Sequence, residues 1–134
     1  MPKKILVVDD DSSLVFTMQQ ILEKNGYEVR TAADTAQAQQ VLDQGFQPDG
    51  MILDVLMHGK AEGIIFARQL RKDPAHKNIP ILMLTCMSDV TGYRPIKDDP
   101  RDPVFLPVEM YLEKPVAPAK LLKKVEELLA TATA

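Results

Sequence analysis

The sequence predicts an α/β fold in which a doubly wound parallel sheet is covered by helices on both faces. Short continuous apolar runs alternate along the chain with amphipathic stretches of helical period. Most of those runs end on an acid, a hydroxyl or a lysine, where an open parallel sheet places its functional residues. At 134 residues the chain fits one domain spanning 1–134, with a real hydrophobic core and no room for a second.

Each element has a local cause. Ile5-Leu6-Val7-Val8 is a continuous apolar run that suits a strand buried on both faces of a parallel sheet. It ends in Asp9, Asp10 and Asp11. Ser12 or Ser13 is expected to cap a helix with Leu14, Val15, Met18, Ile21 and Leu22 on one face, which Asn25-Gly26 stops. Tyr27 to Thr31 reads as a second, weaker strand, and Asp34 or Thr35 opens a helix whose Ala38, Val41 and Leu42 face inward before Gly45. Met51-Ile52-Leu53 is a third strand, ending in Asp54. The third helix, roughly Ala61 to Arg71, turns Ile64, Ile65, Ala67 and Leu70 inward and closes near Asp73-Pro74. The fourth strand, Ile79 to Leu84, is the most apolar and ends in Thr85. A short fifth strand around Met110-Tyr111-Leu112 runs into Glu113-Lys114-Pro115. The last helix follows Pro118 and buries Leu121, Leu122, Val125, Leu128 and Leu129, with fraying expected from Ala130 onward.

The rhythm breaks between Thr85 and Met110. A fourth helix is due there, but Pro95, Pro100, Pro103 and Pro107 fall within 13 residues and forbid a regular one. A long, proline-punctuated loop is expected instead, of a kind that tends to be functional.

Composition excludes several function classes. Apolar residues make up 46% and charged residues 26%, as in ordinary soluble globular domains. No run approaches the roughly 20 apolar residues that cross a bilayer. Acids at Asp9 come too early for a secretory signal, so a cytoplasmic protein is expected. Cys86 is the only cysteine, which excludes an internal disulfide and a multi-cysteine zinc site. A net charge of -3 gives no electrostatic reason to expect direct binding of nucleic acid or an anionic membrane.

The residues after the strands belong together, because such a sheet brings its carboxyl ends to one edge. They are Asp9 and Asp10, then Asp54, Thr85 and Lys114. Converging carboxylates repel unless a hard cation such as Mg²⁺ lies between them, and Mg²⁺ takes oxygen ligands while keeping several waters. A threonine and a lysine beside such a cation suit the oxygens of an incoming phosphoryl group, with a central Asp as nucleophile. Taken singly, each residue has an ordinary explanation: an acidic run before a helix is usually a cap, and Asp commonly ends a strand. Their joint occurrence at four strand ends is the signal.

The chain resembles the receiver domains of two-component response regulators. The resemblance rests on Ile5-Leu6-Val7-Val8-Asp9-Asp10, Asp54-Val55-Leu56-Met57, Leu84-Thr85 and Tyr111-Leu112-Glu113-Lys114-Pro115, in the family's order and over essentially the full length. It implies a flavodoxin-like receiver fold, a five-stranded parallel sheet of order 2-1-3-4-5, here with an irregular fourth-helix region. It also implies that Asp54 accepts a phosphoryl group from a histidine kinase or a histidine phosphotransfer protein. Mg²⁺ would be held by Asp9, Asp10, Asp54 and the backbone carbonyl of Leu56. Thr85 and Lys114 would contact the phosphoryl oxygens, and Tyr111 would be the aromatic that changes rotamer with the state. Leu56 and Met87 occupy the positions that in receivers flank the path of attacking water, so this apolar pair implies a long-lived phosphorylated state.

Departures from the family pattern sharpen the expectations. His58 stands where the family has proline, and Gly63 lies one residue late, so the loop after Asp54 is expected to be reshaped. The segment from Ser88 to Glu109 is long and proline-rich, so partner docking cannot be copied from relatives. A stand-alone receiver, monomeric or weakly dimeric, is expected, relaying phosphate or binding a downstream protein directly. Cys86 reads as a small hydrophobe and Met18, Met51 and Met83 as core fillers. Two other functions compete with the switch. One is a degenerate receiver acting as a phosphorylation-independent binding module, which the intact Asp9, Asp10, Asp54, Thr85 and Lys114 disfavour. The other is an aspartate-nucleophile phosphatase, which would need a second Asp where Leu56 stands, so no enzyme on an external substrate is expected.

Overall fold

The computed structural model describes residues 3–54, 62–85, 110–113 and 117–132. Five strands form one sheet: β1 (Lys4–Val8), β2 (Glu28–Ala32), β3 (Gly50–Asp54), β4 (Ile81–Thr85) and β5 (Met110–Glu113). The order is β2-β1-β3-β4-β5 and every pairing is parallel. The described helices are α1 (Ser12–Lys24), α2 (Thr35–Asp43), α3 (Glu62–Lys72) and α4 (Pro118–Ala132). The doubly wound fold and strand order expected from the sequence are both present.

Two apolar layers flank the sheet because side chains alternate along each strand. Leu6, Val8, Met51, Leu53, Ile81 and Met83 pack with Ala38 and Leu42 of α2 and Ile64, Ala67 and Leu70 of α3. The intervening Ile5, Val7, Ile52, Leu82 and Leu84 pack with Met18 and Leu22 of α1 and Leu121, Val125 and Leu128 of α4. Continuous apolar strands are therefore what a two-sided core demands. Gly50 opens the second layer: a Cβ there would lie 3.2 Å from the Cδ2 atoms of Leu128 and Leu129, so its absence lets α4 close onto β3.

Some local expectations are corrected. The N-cap of α1 is Asp11 rather than Ser12 or Ser13, since its carboxylate accepts from the N–H groups of Ser13 and Leu14. Ile65 is 53% exposed, while its neighbour Phe66 is buried. At ~100° per residue, Ile65 points about 200° away from Gly63, on the side opposite the stripe of Gly63, Ala67 and Leu70. β2 lies one residue later than expected, and β4 starts at Ile81 because Pro80 has no N–H to donate. α4 continues as helix to Ala132 instead of fraying from Ala130. The expected irregular segment at 88–109 lies outside the described residues.

Candidate functional site

Register brings the acids together. Val8 is level with Leu53 in the β1–β3 pairing, so the next residues, Asp9 and Asp54, leave the sheet side by side. One ligand oxygen from each of Asp9, Asp10 and Asp54 lies within 4.8 Å of the other two. Asp9 is 1% and Asp54 5% exposed, whereas Asp10 faces solvent. Two unit charges 4.8 Å apart repel by about 3.5 kcal/mol at an effective dielectric of ~20.

The loop after β1 is held by hydrogen bonds. Asp9 N–H donates to the Ala32 carbonyl of β2 at 3.1 Å. Asp9 Oδ1 accepts from Asp11 N–H at 3.0 Å. Asp11 Oδ1 in turn accepts from Ser13 N–H and Leu14 N–H, each at 3.1 Å, at the start of α1. Capping is the ordinary reading of the acidic run, but the sequence pattern favours Ser12 or Ser13 as the cap and gives no sign of the Asp11 N–H bond to Asp9. A cavity of about 300 Å³ opens beside the acids, lined by Asp9, Asp10, Val15, Phe16, Gln19 and Gln37 among others.

Other residues expected at the site are placed by backbone alone or not at all. Thr85 is the last residue of β4, level with Glu113 of β5, and Tyr111 is level with Met83. Thr85 therefore ends the strand next to β3, at the edge that carries Asp54, while Tyr111 lies one strand further out on β5. Leu56, His58, Met87 and Lys114 lie outside the described residues.

The donor set fits a small hard cation. Three carboxylates from two adjacent strand ends supply only oxygen ligands, and an exposed member leaves an open side for water or another ligand. Two buried anions beside a third are the arrangement that a divalent cation relieves. Among the described residues no helix is long and apolar enough to cross a membrane.

These features define a class: an open parallel α/β domain whose acidic oxygen-donor pocket lies at the carboxyl ends of its first and third strands. The chain belongs to the response regulator receiver domain family, whose model matches residues 5–126. It is 37% identical over 132 residues to the alkaline phosphatase synthesis transcriptional regulatory protein PhoP of Bacillus subtilis, covering 96% of this chain and 49% of that protein. It is 35% identical over 133 residues to the response regulator MprA of Mycolicibacterium vanbaalenii, covering 99% of this chain and 53% of that one. The chain thus spans about half the length of these curated relatives. Among solved structures, the chemotaxis response regulator CheY4 of Vibrio cholerae superposes with a TM-score of 0.78 at 33% identity, covering 96% of this chain and 99% of that chain.

Proposed function

We propose that this receiver domain is a phosphoacceptor switch in which Asp54 takes a phosphoryl group from a phosphohistidine of a histidine kinase or histidine phosphotransfer protein. The observation that carries this reading is the convergence of Asp9, Asp10 and Asp54 at one edge of the sheet. Asp54 is the acceptor because it ends the central strand, with β1 and β4 on either side. Its carboxylate oxygen attacks phosphorus, a P–O bond forms as the P–N bond to the donor imidazole breaks, and the imidazole leaves with a proton.

Asp9, Asp10, Asp54 and the Leu56 carbonyl would hold Mg²⁺, whose charge, when bound, offsets that of the phosphoryl oxygens. Thr85 and Lys114 are assigned to those oxygens and Tyr111 to reporting the state, on the family pattern. The reaction is the protein's own phosphorylation and dephosphorylation, with no external substrate turned over. The phosphorylated domain changes its affinity for a downstream protein. Transcriptional regulation, which the name of the Bacillus relative states, is not carried to this chain, which aligns with only half of that protein.

Intact-mass measurement after incubation with a small acyl phosphate and Mg²⁺ tests the proposal. A single phosphoryl adduct in the wild type, abolished in a folded Asp54→Asn variant, is expected. An adduct of equal yield in that variant contradicts the assignment. No adduct in the wild type points instead to a binding module.

A further inference from the structure

The acidic run after β1 contains two residues that face the site and a third that does not. Asp11 contributes its N–H to Asp9 Oδ1 at 3.0 Å and its carboxylate to two N–H groups of α1, both at 3.1 Å. One residue thereby joins a buried site carboxylate to the first turn of a helix that is packed on the sheet through Met18 and Leu22. The main chain closes the same turn, since Val15 N–H donates to the Asp11 carbonyl at 3.0 Å. Rotation of the Asp11 peptide therefore breaks the bond to Asp9 and, with it, the alignment of the helix cap.

We propose that Asp11 is a positioning residue for the cation site, fixing the Asp9 carboxylate by using its side-chain cap on α1 to lock the peptide whose N–H binds Asp9. The inference rests on the reading of Asp9, Asp10 and Asp54 as a Mg²⁺ site and names a determinant of that site's affinity. Partners that orient a ligand from behind are worth about 10–100-fold in metal affinity. Here the donor N–H survives substitution by alanine or asparagine and only its placement loosens, so the low end applies.

Capping and charge make opposite forecasts for asparagine. Asn caps a helix about as well as Asp, whereas Ala does not, while both remove the negative charge. A second cap supplies the control for stability alone: Asp34 Oδ1 accepts from Gln37 N–H at 2.8 Å at the start of α2.

The test titrates Mg²⁺ into the purified protein by calorimetry, for wild type, Asp11→Ala, Asp11→Asn and Asp34→Ala, with folding checked by circular dichroism. In the metal-free proteins, hydrogen exchange of the amide at position 11 is followed alongside. The expected result is an about tenfold weaker Mg²⁺ affinity and faster exchange at position 11 in Asp11→Ala. Asp11→Asn should stay within about twofold of wild type in affinity and keep the slow exchange. Asp34→Ala should lose stability but not affinity. Unchanged affinity in Asp11→Ala, or an equal loss in Asp11→Asn, overturns the positioning role and leaves the cation site standing. A wild type that binds no Mg²⁺ overturns both.

Discussion

Asp9, Asp10 and Asp11 are chemically identical neighbours, yet each meets different surroundings. Asp9 is buried and tethered, Asp10 reaches the site from solvent, and Asp11 caps α1. That three-way split was not legible in the sequence, because composition shows an acidic run and only backbone direction decides which carboxylate goes where. The convergence with Asp54 was legible, since a parallel sheet forces it. Away from the site, Asp73 shows how local bonding sets a titration. Its carboxylate accepts from Ala75 N–H at 3.0 Å, and its Oδ2 lies 2.7 Å from His76 Nδ1. The backbone bond first, and then the histidine, hold its pKa below the ordinary 3.8. A depressed carboxylate favours the folded state above its unfolded pKa, and that contribution is lost as pH falls through the folded value. Carbon-detected NMR titration should show a midpoint below 3.8 for Asp73 that rises only partway in His76→Ala; a full return to the ordinary value would contradict the leading role of the backbone bond. On the family pattern, we propose that the apolar pair Leu56 and Met87 slows hydrolysis of a phosphoryl group on Asp54. With ~1.4 kcal/mol of barrier per factor of ten, the combined Leu56→Asn and Met87→Glu variant should lose phosphate about tenfold faster. Equal decay rates after donor removal would refute this account of water exclusion.

Among the elements, α3 illustrates what periodicity reveals and where it misleads. Ile64, Ala67 and Leu70 face inward as their spacing predicts, whereas Ile65 shares their hydrophobicity but its angle places it outside. Phe66 is 2% exposed and Ile65 53%. Phe66→Ala should therefore cost about 3–5 kcal/mol of unfolding free energy in denaturant titration, and Ile65→Ala within about 0.5 kcal/mol; similar losses would contradict the facing of this helix. The end of α1 was legible for a different reason. Gly26 has φ +92°, a left-handed conformation that makes glycine the natural residue after Asn25. Gly26→Ala is expected to destabilise by about 1 kcal/mol, although no atom crowds the added methyl. Strand ends were read within one or two residues, since apolarity persists past the point where a proline such as Pro80 interrupts pairing.

For the whole molecule, site and core come from the same geometry. Continuous apolar strands make a parallel sheet with two covered faces, and that sheet gathers its strand ends at one edge, where Asp9, Asp10 and Asp54 meet. The pattern of the sequence was therefore sufficient for a parallel sheet with acids at its carboxyl edge, while the strand order came from the resemblance to receiver domains. It was not sufficient for partner choice, which depends on surface shape and on chemistry that leaves no period in the chain. The central claim is that this edge directs one phosphoryl group to one residue. Its most direct test is to phosphorylate the protein with a small acyl phosphate, trap the acyl phosphate by borohydride reduction, and map the reduced residue by peptide mass spectrometry, with and without a chelator of Mg²⁺. The account predicts a single modified residue, Asp54, whose labelling collapses in the chelator. Labelling at another residue, or at Asp54 to the same extent without the cation, would contradict it.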